Sequence, residues 1–186
     1  MTKLVFYHDH AAKSREAAEQ VRAFCRERGL AAKAIALDAF DIIQCAKAMR
    51  ADLRKEGAEN VVFNITGGTP VISAAATLAC ILEGVRAVYI DERSQKEVRL
   101  PLLSLRYEEI LNEPQRRVLR FVSEKGAKGC DQAEIMRALK LSRGTVSHHV
   151  TNLKAKQLLS SEADPKDARR ETLRVRESAA LLLMGP

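Results

Sequence analysis

Apolar and polar positions alternate along the first half of the chain in a pattern that predicts strands separated by helices. Four apolar runs are typical of buried strands, at residues 4–7, 34–37, 60–65 and 85–90. Three other segments have apolar positions at helical spacing, at residues 11–28, 42–57 and 70–82. In the first segment this spacing is carried by Ala17, Val21 and Phe24. The order β-α-β-α-β-α-β predicts an α/β fold, with a Rossmann-like, mostly parallel sheet and helices on both faces.

The third helical segment, residues 70–82, contains no charged side chain. This favours burial or a place in a subunit interface. The segment is too short to cross a membrane, which takes about 20 apolar residues, and the N-terminus has no secretory signal pattern. We therefore expect a cytoplasmic protein without membrane association. A short strand around residues 98–103 is expected to lie antiparallel at the sheet edge.

After residue 108 the pattern changes to three short helices and a hairpin. Asn112, Asp131 and Ser142 stand at the N-cap positions of the three predicted helices. The two strands of the hairpin and its basic tip are predicted at residues 159–163, 172–176 and 164–170. This order of elements is a winged helix-turn-helix. The sequence thus predicts a Rossmann-like domain over residues 1–108 and a small winged helix-turn-helix domain over residues 109–186, whose apolar tail, 179–184, is a candidate dimer contact.

The third helix of the second domain, residues 143–156, has the composition of a DNA recognition helix. Val146, Val150 and Leu153 are expected to face the core. The hydrogen-bonding side chains left exposed are Arg143, Thr145, Ser147, His148, Thr151 and Asn152. In the hairpin tip, Lys166, Arg169 and Arg170 are placed to contact phosphates or the minor groove. These nine residues are the candidate DNA-binding set; a winged helix used for protein contacts is the alternative.

The charge distribution favours the same domain as the nucleic-acid partner. Lys and Arg outnumber Asp and Glu by 31 to 24 in the whole chain. After residue 108 the ratio is 15 to 10, compared with 16 to 14 before it. A basic domain beside a nearly neutral one is typical of a nucleic-acid-binding module joined to another function. The chain has no Trp and only 4 % aromatic residues, which disfavours single-strand binding by base stacking, since that needs several exposed rings.

The loop after the third strand is the strongest candidate ligand site. Ligands of Rossmann-like sheets bind beyond the carboxyl ends of the strands, where Thr66, Gly67, Gly68 and Thr69 precede Pro70. The glycines permit a tight turn and a close backbone approach, and free N–H groups with two hydroxyls form a candidate phosphate cradle. A turn that merely needs glycine is the alternative. Because the spacing is not G-x-G-x-x-G and no Lys follows, NAD binding and NTP hydrolysis are disfavoured.

A second loop, formed by His8, Asp9 and His10, follows the first strand. Its histidines are candidates for anion binding, acid–base chemistry or metal binding, and a solvated loop is the alternative. No cluster of carboxylates or cysteines supports a metal site, and the adjacent His148 and His149 diverge by roughly 100° on a helix. The four cysteines are scattered, which favours buried, reduced thiols. We expect no metal ion and no cofactor.

Both halves of the chain resemble parts of a known family. The sequence Asn64-Ile65-Thr66-Gly67-Gly68-Thr69 is similar to the signature loop of CARF domains, the CRISPR-associated Rossmann-fold sensors. Residues 141–150 resemble the recognition region of MarR- and ArsR-type winged helices. A CARF domain followed by a winged helix is the arrangement of the archaeal CRISPR-associated transcriptional regulators, and the resemblance covers nearly the whole chain.

The resemblance implies a homodimer whose paired sensor domains bind a cyclic oligoadenylate, most often the tetramer, across the two-fold axis. By motif position, the ligand-binding residues would be His8, Asp9, His10, Thr66, Gly67, Gly68 and Thr69. Many family members carry Arg or Lys soon after the glycines, whereas this chain has Pro70 and Val71. The implied function is a ligand-responsive transcriptional regulator that binds promoter or operator DNA.

Two other functions are alternatives at this point. Some CARF proteins slowly cleave their cyclic oligoadenylate, so a ring nuclease is the second hypothesis. Thr66, Thr69, His8 and His10 are its conceivable participants, although they form no recognisable acid–base constellation. A metal-sensing repressor that uses Cys and His is the third.

Overall fold

A computed structural model of the chain describes residues 3–103, 105, 107–164 and 167–183, and for residues 107, 108, 164 and 167–170 it describes the backbone alone. The chain divides into two compact units, Met1–Arg106 and Tyr107–Pro186. The helices and strands of the N-terminal unit are β1 (Lys3–His8), α1 (Ala12–Glu27), β2 (Ala31–Ala36), α2 (Ile42–Glu56), β3 (Val62–Asn64), α3 (Pro70–Glu83), β4 (Arg86–Ile90) and β5 (Glu97–Arg99). Those of the C-terminal unit are α4 (Tyr107–Ile110), α5 (Glu113–Glu124), α6 (Gln132–Leu139), α7 (Arg143–Ala155), β6 (Leu159–Asp164) and β7 (Asp167–Val175).

The strands of the N-terminal unit have the pairing of a Rossmann-like sheet. β1 pairs in parallel with β2, β3 pairs in parallel with β4, and β5 lies antiparallel beside β4. Among the described residues, β1 and β2 form a two-stranded sheet and β3, β4 and β5 form a three-stranded sheet. The rings of Tyr7 on β1 and Phe63 on β3 stack with their centroids 6.0 Å apart and bring the two sheets into contact. Helix α1 packs on β1 and β2, whereas α3 packs on α2 and β4. The predicted fold class is confirmed.

Helices α2 and α3 pack against each other and are joined by a buried ion pair. Small residues on α3 allow this close approach, and the buried ones are Ala75, Ala76 and Ala79. Arg50 on α2 is wholly buried and donates from Nε to a carboxylate oxygen of Glu83 on α3 at 2.6 Å. Arg54 donates to the same carboxylate at 3.0 Å. Two guanidinium groups thus compensate the one carboxylate and fix α2 against the end of α3.

The buried face of α1 differs from the predicted one. Ala18 and Cys25 are buried, whereas Ala17 is exposed and the Phe24 side chain is 52 % exposed. The guanidinium carbon of Arg28 lies 3.6 Å from the centroid of the Phe24 ring. The predicted and observed stripes both have helical spacing, so spacing alone does not decide between them. The exposed ring of Phe24 is stabilised by the Arg28 guanidinium group above it and not by burial.

The three principal helices of the C-terminal unit begin where the caps predict. The N–H groups of Gln115, Glu134 and Thr145 donate to the side chains of Asn112, Asp131 and Ser142 at 3.0, 2.7 and 3.2 Å. The helices enclose a common core, whose wholly or almost wholly buried members include Val118, Val122, Ile135, Val146, Val150 and Leu153. The predicted core face of α7 is therefore confirmed.

The wing hairpin is longer than predicted, because β7 begins at Asp167 and not at residue 172. Its pairing with β6 is regular from Leu159–Val175 to Ala163–Glu171, where the register shifts, and Asp164 then pairs with Asp167. The segment 167–170, predicted as part of the tip, therefore has the backbone of a strand. A two-stranded hairpin tolerates polar side chains on its solvated face, so the polar sequence did not mark where pairing stops.

Gly129 allows the backbone before α6 to approach strand β7 of the wing closely. Cys130 and Leu173 exchange two backbone hydrogen bonds at 3.1 and 2.8 Å. The φ of Gly129 is +66°, and a Cβ at this position would lie 2.5 Å from the carbonyl oxygen of Leu173. No side chain fits in this space unless the backbone moves.

All four cysteines are free and buried, as predicted. Burial raises the pKa of Cys80 to about 12 and the pKa of Cys130 to about 11, which keeps both thiols protonated and unreactive. In the apolar tail, Ala179, Leu181 and Leu182 are buried within this chain, so they are not left for a dimer contact; Met184 lies outside the described residues. Among the described helices, none is long and apolar enough to cross a membrane.

Candidate functional site

Thr66 is held between the ends of two strands by its own hydroxyl group. The hydroxyl donates to Oδ1 of Asn64 at 2.5 Å and accepts from the N–H of Ile90 at 2.7 Å. The N–H of Thr66 also donates to Asn64 Oδ1, at 2.9 Å. Because the hydroxyl hydrogen is already donated, it is not available to a phosphate oxygen. The side chain therefore joins the glycine loop after β3 to the end of β4. The sequence had predicted a Thr66 hydroxyl that is free to bind a ligand, and the structure shows one that is already bonded.

Thr69 is likewise engaged, at the start of α3. Its Oγ1 accepts from the N–H of Ile72 at 3.3 Å and donates to the carbonyl oxygen of Ala39 at 3.4 Å. Pro70 follows as the first residue of α3, as predicted. The second contact joins the loop after β3 to the loop after β2. Both threonine hydroxyls thus hold the loop in place.

The two glycines present the open part of this loop. Gly68 has a φ of +106°, the conformation that favours glycine, while a Cβ at Gly67 would meet nothing within 4 Å. Among the described residues, the N–H groups of Gly67 and Gly68 have no protein acceptor. Of the predicted phosphate cradle, the free N–H groups are therefore present: those of Gly67 and Gly68, beside the N-terminus of α3.

The loop after β1 lies at the same edge of the sheet. Nδ1 of His8 donates to the carbonyl oxygen of Asp9 at 2.7 Å, which leaves Nε2 for other partners. Hydrogen bonds from Ser14 and from the N–H of Ala11 lower the pKa of Asp9. The carboxylate thus closes the turn that leads into α1. His10 is exposed, so this loop offers two imidazoles to a ligand.

The loops that follow β1, β2 and β4 carry several carboxylates, among them those of Asp9, Asp38, Asp41 and Asp91. Asp41 caps α2 by accepting from the N–H of Gln44 at 2.8 Å. Hydrogen bonds from the Ser94 hydroxyl and the Arg93 N–H lower the pKa of Asp91. Because residues 66–70 contain no cation, the glycine loop itself would hold an anion through its N–H groups. Among the described residues, no group of three or more His, Cys, Asp or Glu side chains is arranged to hold a metal ion.

Recognition helix α7 presents its predicted polar side chains on one side. Arg143, Ser147 and Thr151 are exposed at successive turns, and His148 is exposed beside them. Thr145 and Asn152 are half-buried. Thr145 shares a hydrogen bond with the Ser142 hydroxyl at 2.7 Å, and Asn152 contacts Nε2 of His148 at 3.1 Å. The helix thus exposes one charged and three polar groups with a fixed spacing.

His149 points the other way and is buried. Burial and the neighbouring His148 imidazole lower its pKa. Among the described residues, nothing lies within hydrogen-bonding distance of its Nδ1. The two histidines therefore diverge as predicted, one outward and one into the domain.

The structure places the predicted wing residues only in part. Arg169 and Arg170 lie on β7 by their backbone, and Lys166 lies outside the described residues. Arg174, nearer the base of β7, donates to the carbonyl oxygen of Ala127 at 2.9 Å and pairs with Glu162. This arginine therefore joins the wing to the domain.

At the candidate ligand edge, sequence reasoning had Asn64 only as part of the loop motif and missed its hydrogen bonds to Thr66, and it missed Phe40 altogether. Asn64 forms the turn that holds Thr66, and an Asn two residues before a Thr is a recognisable sign of such a turn. Phe40 lies in the loop after β2, and its side chain is 81 % exposed. The signal for Phe40 was an aromatic residue directly after a predicted strand, at the edge where ligands bind.

Comparison with known families decides what the N-terminal unit is. A family model described as the Csa3 CRISPR-associated Rossmann-like domain matches residues 2–101, more than half of the chain. The chain belongs to this family. A model of the MarR family matches residues 111–170, which places a MarR-type winged helix after the Csa3 Rossmann-like domain. The predicted resemblance to CRISPR-associated regulators is confirmed.

Solved structures resemble part of this Csa3-family chain. The PcaV transcriptional regulator from Streptomyces coelicolor, in complex with its natural ligand, is 29 % identical over 40 % of this chain and 52 % of its own, with a TM-score of 0.38. The MepR protein in the S. aureus MepR–DNA complex is 27 % identical over 39 % of this chain and 53 % of its own, also with a TM-score of 0.38. The chain thus spans about half the length of these structures. Among curated proteins, no relative matches the chain.

Proposed function

We propose that the protein is a dimeric transcriptional regulator of CRISPR loci, in which the Csa3 Rossmann-like domain binds a cyclic oligoadenylate and the winged helix binds duplex DNA. One observation carries the proposal. A single chain joins this domain, with an open Gly67–Gly68 backbone, to a MarR-type domain whose α7 exposes hydrogen-bonding side chains.

The exposed side of α7 supports DNA binding. Arg143, Ser147 and Thr151 lie at successive helical turns, and the buried stripe on the other side anchors the helix in the domain. A helix presented in this way fits the major groove, where an arginine reads guanine with two hydrogen bonds. The wing, with Lys166, Arg169 and Arg170 in its sequence, then supplies contacts to phosphates.

The loop geometry supports ligand binding more than ligand cleavage. The N–H groups of Gly67 and Gly68 are directed to no protein acceptor among the described residues, and the N-terminus of α3 adds a partial positive charge. The hydroxyl hydrogens of Thr66 and Thr69 are donated within the protein, so neither serves as an acid in its present position. A ring of four adenylates, the ligand that the family resemblance implies, brings phosphates to these N–H groups.

Exposed apolar side chains in the N-terminal unit support the homodimer. Tyr89 and Val98 are directly paired across β4 and β5, and their side chains are 36 % and 49 % exposed. Leu103 and Leu105 follow in the chain and are also exposed. Exposed apolar groups of this kind mark surfaces that bind partners. In a dimer, ligand binding would change the spacing of two recognition helices, which must match roughly 34 Å for successive major grooves.

The ligand part of the proposal is tested by incubating the full chain with a panel of linear and cyclic oligoadenylates. The melting temperature and the chromatographic products are followed together. A rise in melting temperature with cyclic tetra-adenylate, without new products, is the expected result. Accumulation of linear products would instead establish a ring nuclease, and no response to any member would exclude this ligand class.

A further inference from the structure

The exposed ring of Phe40 is the feature of the ligand edge that the loop geometry does not explain. Its side chain is 81 % exposed, more than any other large apolar side chain among the described residues. The turn that carries the ring is well defined. The N–H of Phe40 donates to Oδ1 of Asp38 at 3.1 Å, and the N–H of Asp41 donates to the carbonyl oxygen of Asp38 at 3.1 Å. The ring is thus held in solvent by an ordered turn between β2 and α2.

Contacts of the neighbouring residues place Phe40 beside the candidate ligand loops. Ala39, which is buried, accepts through its carbonyl oxygen from the hydroxyl of Thr69 at 3.4 Å. Leu37 donates from its N–H to the carbonyl oxygen of His8 at 2.8 Å. The loops after β1, β2 and β3 therefore meet at one edge, and Phe40 belongs to the loop that contacts both of the others.

The face of the Phe40 ring is open, in contrast to the rings of Tyr7, Phe24, Phe63 and Phe121. Arg28 covers Phe24, Tyr7 stacks on Phe63, and the Lys125 ammonium lies 4.7 Å from the centroid of Phe121. For Phe40, no ring or cation contact is present among the described residues.

The charges near the glycine loop indicate that a nucleotide ligand needs a source of affinity other than ion pairing. Residues 66–70 contain no cation, and Asp9, Asp38, Asp41 and Asp91 lie in the neighbouring loops, so the glycine loop itself offers a phosphate no ion pair. Every nucleobase has an apolar π-face that stacks on an aromatic ring, and such stacking does not depend on charge. We infer that Phe40 is a stacking platform for an adenine base of the ligand, carried by the loop whose Ala39 accepts from Thr69 at the end of the glycine loop. This inference rests on the proposed function, because it takes the ligand to be an oligoadenylate.

Two substitutions of Phe40 separate stacking from a structural role. Phe40→Leu keeps an apolar side chain and removes the flat ring. It is expected to weaken the binding of cyclic tetra-adenylate by about tenfold, within the range found for base–aromatic stacking. Phe40→Trp keeps a ring, so its affinity is expected to stay within about threefold of the wild type. Because the chain has no Trp, this variant has a single indole, whose fluorescence is expected to be quenched when the ligand binds.

Phe24 provides the matched control, because it is also exposed but lies at the end of α1, away from the carboxyl edge. Phe24→Leu is expected to bind as the wild type does, and the indole of Phe24→Trp is expected not to respond to ligand. Sedimentation of each variant measures the oligomeric state. Equal ligand affinity of Phe40→Leu and the wild type would overturn the inference. Dissociation of a Phe40→Leu dimer would overturn it as well, by assigning the ring to a subunit contact.

Wild-type binding in the same experiment tests the proposed function separately. If the wild type binds cyclic tetra-adenylate and Phe40→Leu binds equally well, only the stacking role fails. If the wild type binds no oligoadenylate, the proposed ligand fails, and the inference fails with it.

Discussion

The hydroxyl of Thr66 accepts a hydrogen bond from the backbone N–H of Ile90 at 2.7 Å. Through this bond the end of β4 holds the loop that follows β3, 24 residues earlier in the chain. The same hydroxyl donates to Asn64, so the loop is fixed before any ligand arrives. A preorganised loop loses little conformational entropy when it binds, which favours affinity.

Thr66→Val is expected to destabilise the N-terminal unit. Valine has nearly the same shape but leaves the half-buried N–H of Ile90 without an acceptor, at a cost of about 1–3 kcal/mol. Thr66→Ser keeps the hydroxyl and is expected to lie close to the wild type. Urea denaturation of the full chain, followed by circular dichroism, measures the difference. Equal stability of the Val variant and the wild type would refute the structural role of this hydroxyl.

Gly129→Ala is expected to disturb the attachment of the wing. The added Cβ would lie 2.5 Å from the carbonyl oxygen of Leu173, and the positive φ adds strain, so we expect a loss of about 2 kcal/mol or more. Gly144 on α7 is the control, because a Cβ there meets nothing within 4 Å. Gly144→Ala is expected to be neutral or to stabilise the helix by up to about 1 kcal/mol. Thermal unfolding measures both, and similar melting temperatures for the two variants would contradict the geometry.

Arg143 and the wing arginines are expected to affect DNA binding in different ways. If Arg143 contacts bases as proposed, Arg143→Ala is expected to lower affinity for the preferred sequence by roughly 1–3 kcal/mol and to relax the preference. If Arg169 and Arg170 contact phosphates as proposed, Arg169→Ala and Arg170→Ala are expected to weaken all duplexes about equally and to make the salt dependence shallower. Arg26→Ala, on α1, makes the same change of charge outside the winged helix. Titrations of preferred and scrambled duplexes at several salt concentrations separate these effects, and equal behaviour of the wing and Arg26 variants would exclude the wing contact.

The stability of the winged helix is expected to fall as the pH decreases below about 6.5, the usual pKa of histidine. Burial lowers the pKa of His149 in the folded state. Just below pH 6.5 the imidazole of the unfolded chain is therefore protonated while that of the folded chain stays neutral. Stability is therefore lost as the pH falls from 6.5 towards the folded pKa, and it is regained as the pH rises. Denaturation between pH 7.5 and 5 measures this slope. His149→Phe is expected to flatten the dependence of stability on pH, whereas His148→Gln is expected to keep most of this dependence. Equal slopes for His149→Phe and the wild type would refute the assignment of the pH dependence to His149.

The sequence predicted the elements well where local signals are strong. Asn112, Asp131 and Ser142 cap their helices because the cap is formed within three residues of the chain. The order of strands and helices then led to the Rossmann-like sheet. The same holds for the glycine loop, whose position follows from the strand before it and Pro70 after it.

Contacts between residues distant in the chain were not predictable. Polar Arg50 is buried because Glu83, 33 residues later, neutralises it. The hydroxyl of Thr66 is engaged by Ile90, and that of Thr69 by Ala39, so neither is the free donor that local sequence suggested. The buried stripe of α1 was misassigned because Ala17 and Ala18 differ by one position in a helix of similar residues.

The central claim is that ligand at the Csa3 Rossmann-like domain changes DNA binding by the winged helix. A labelled duplex enriched from a random-sequence pool, titrated with the full chain with and without saturating cyclic tetra-adenylate, tests it directly by fluorescence polarisation. Saturating ligand is expected to change the Kd for this duplex by at least about fivefold, the lower range of typical coupling between sites. An unchanged Kd at saturating ligand, or no duplex enriched from the pool, would contradict it.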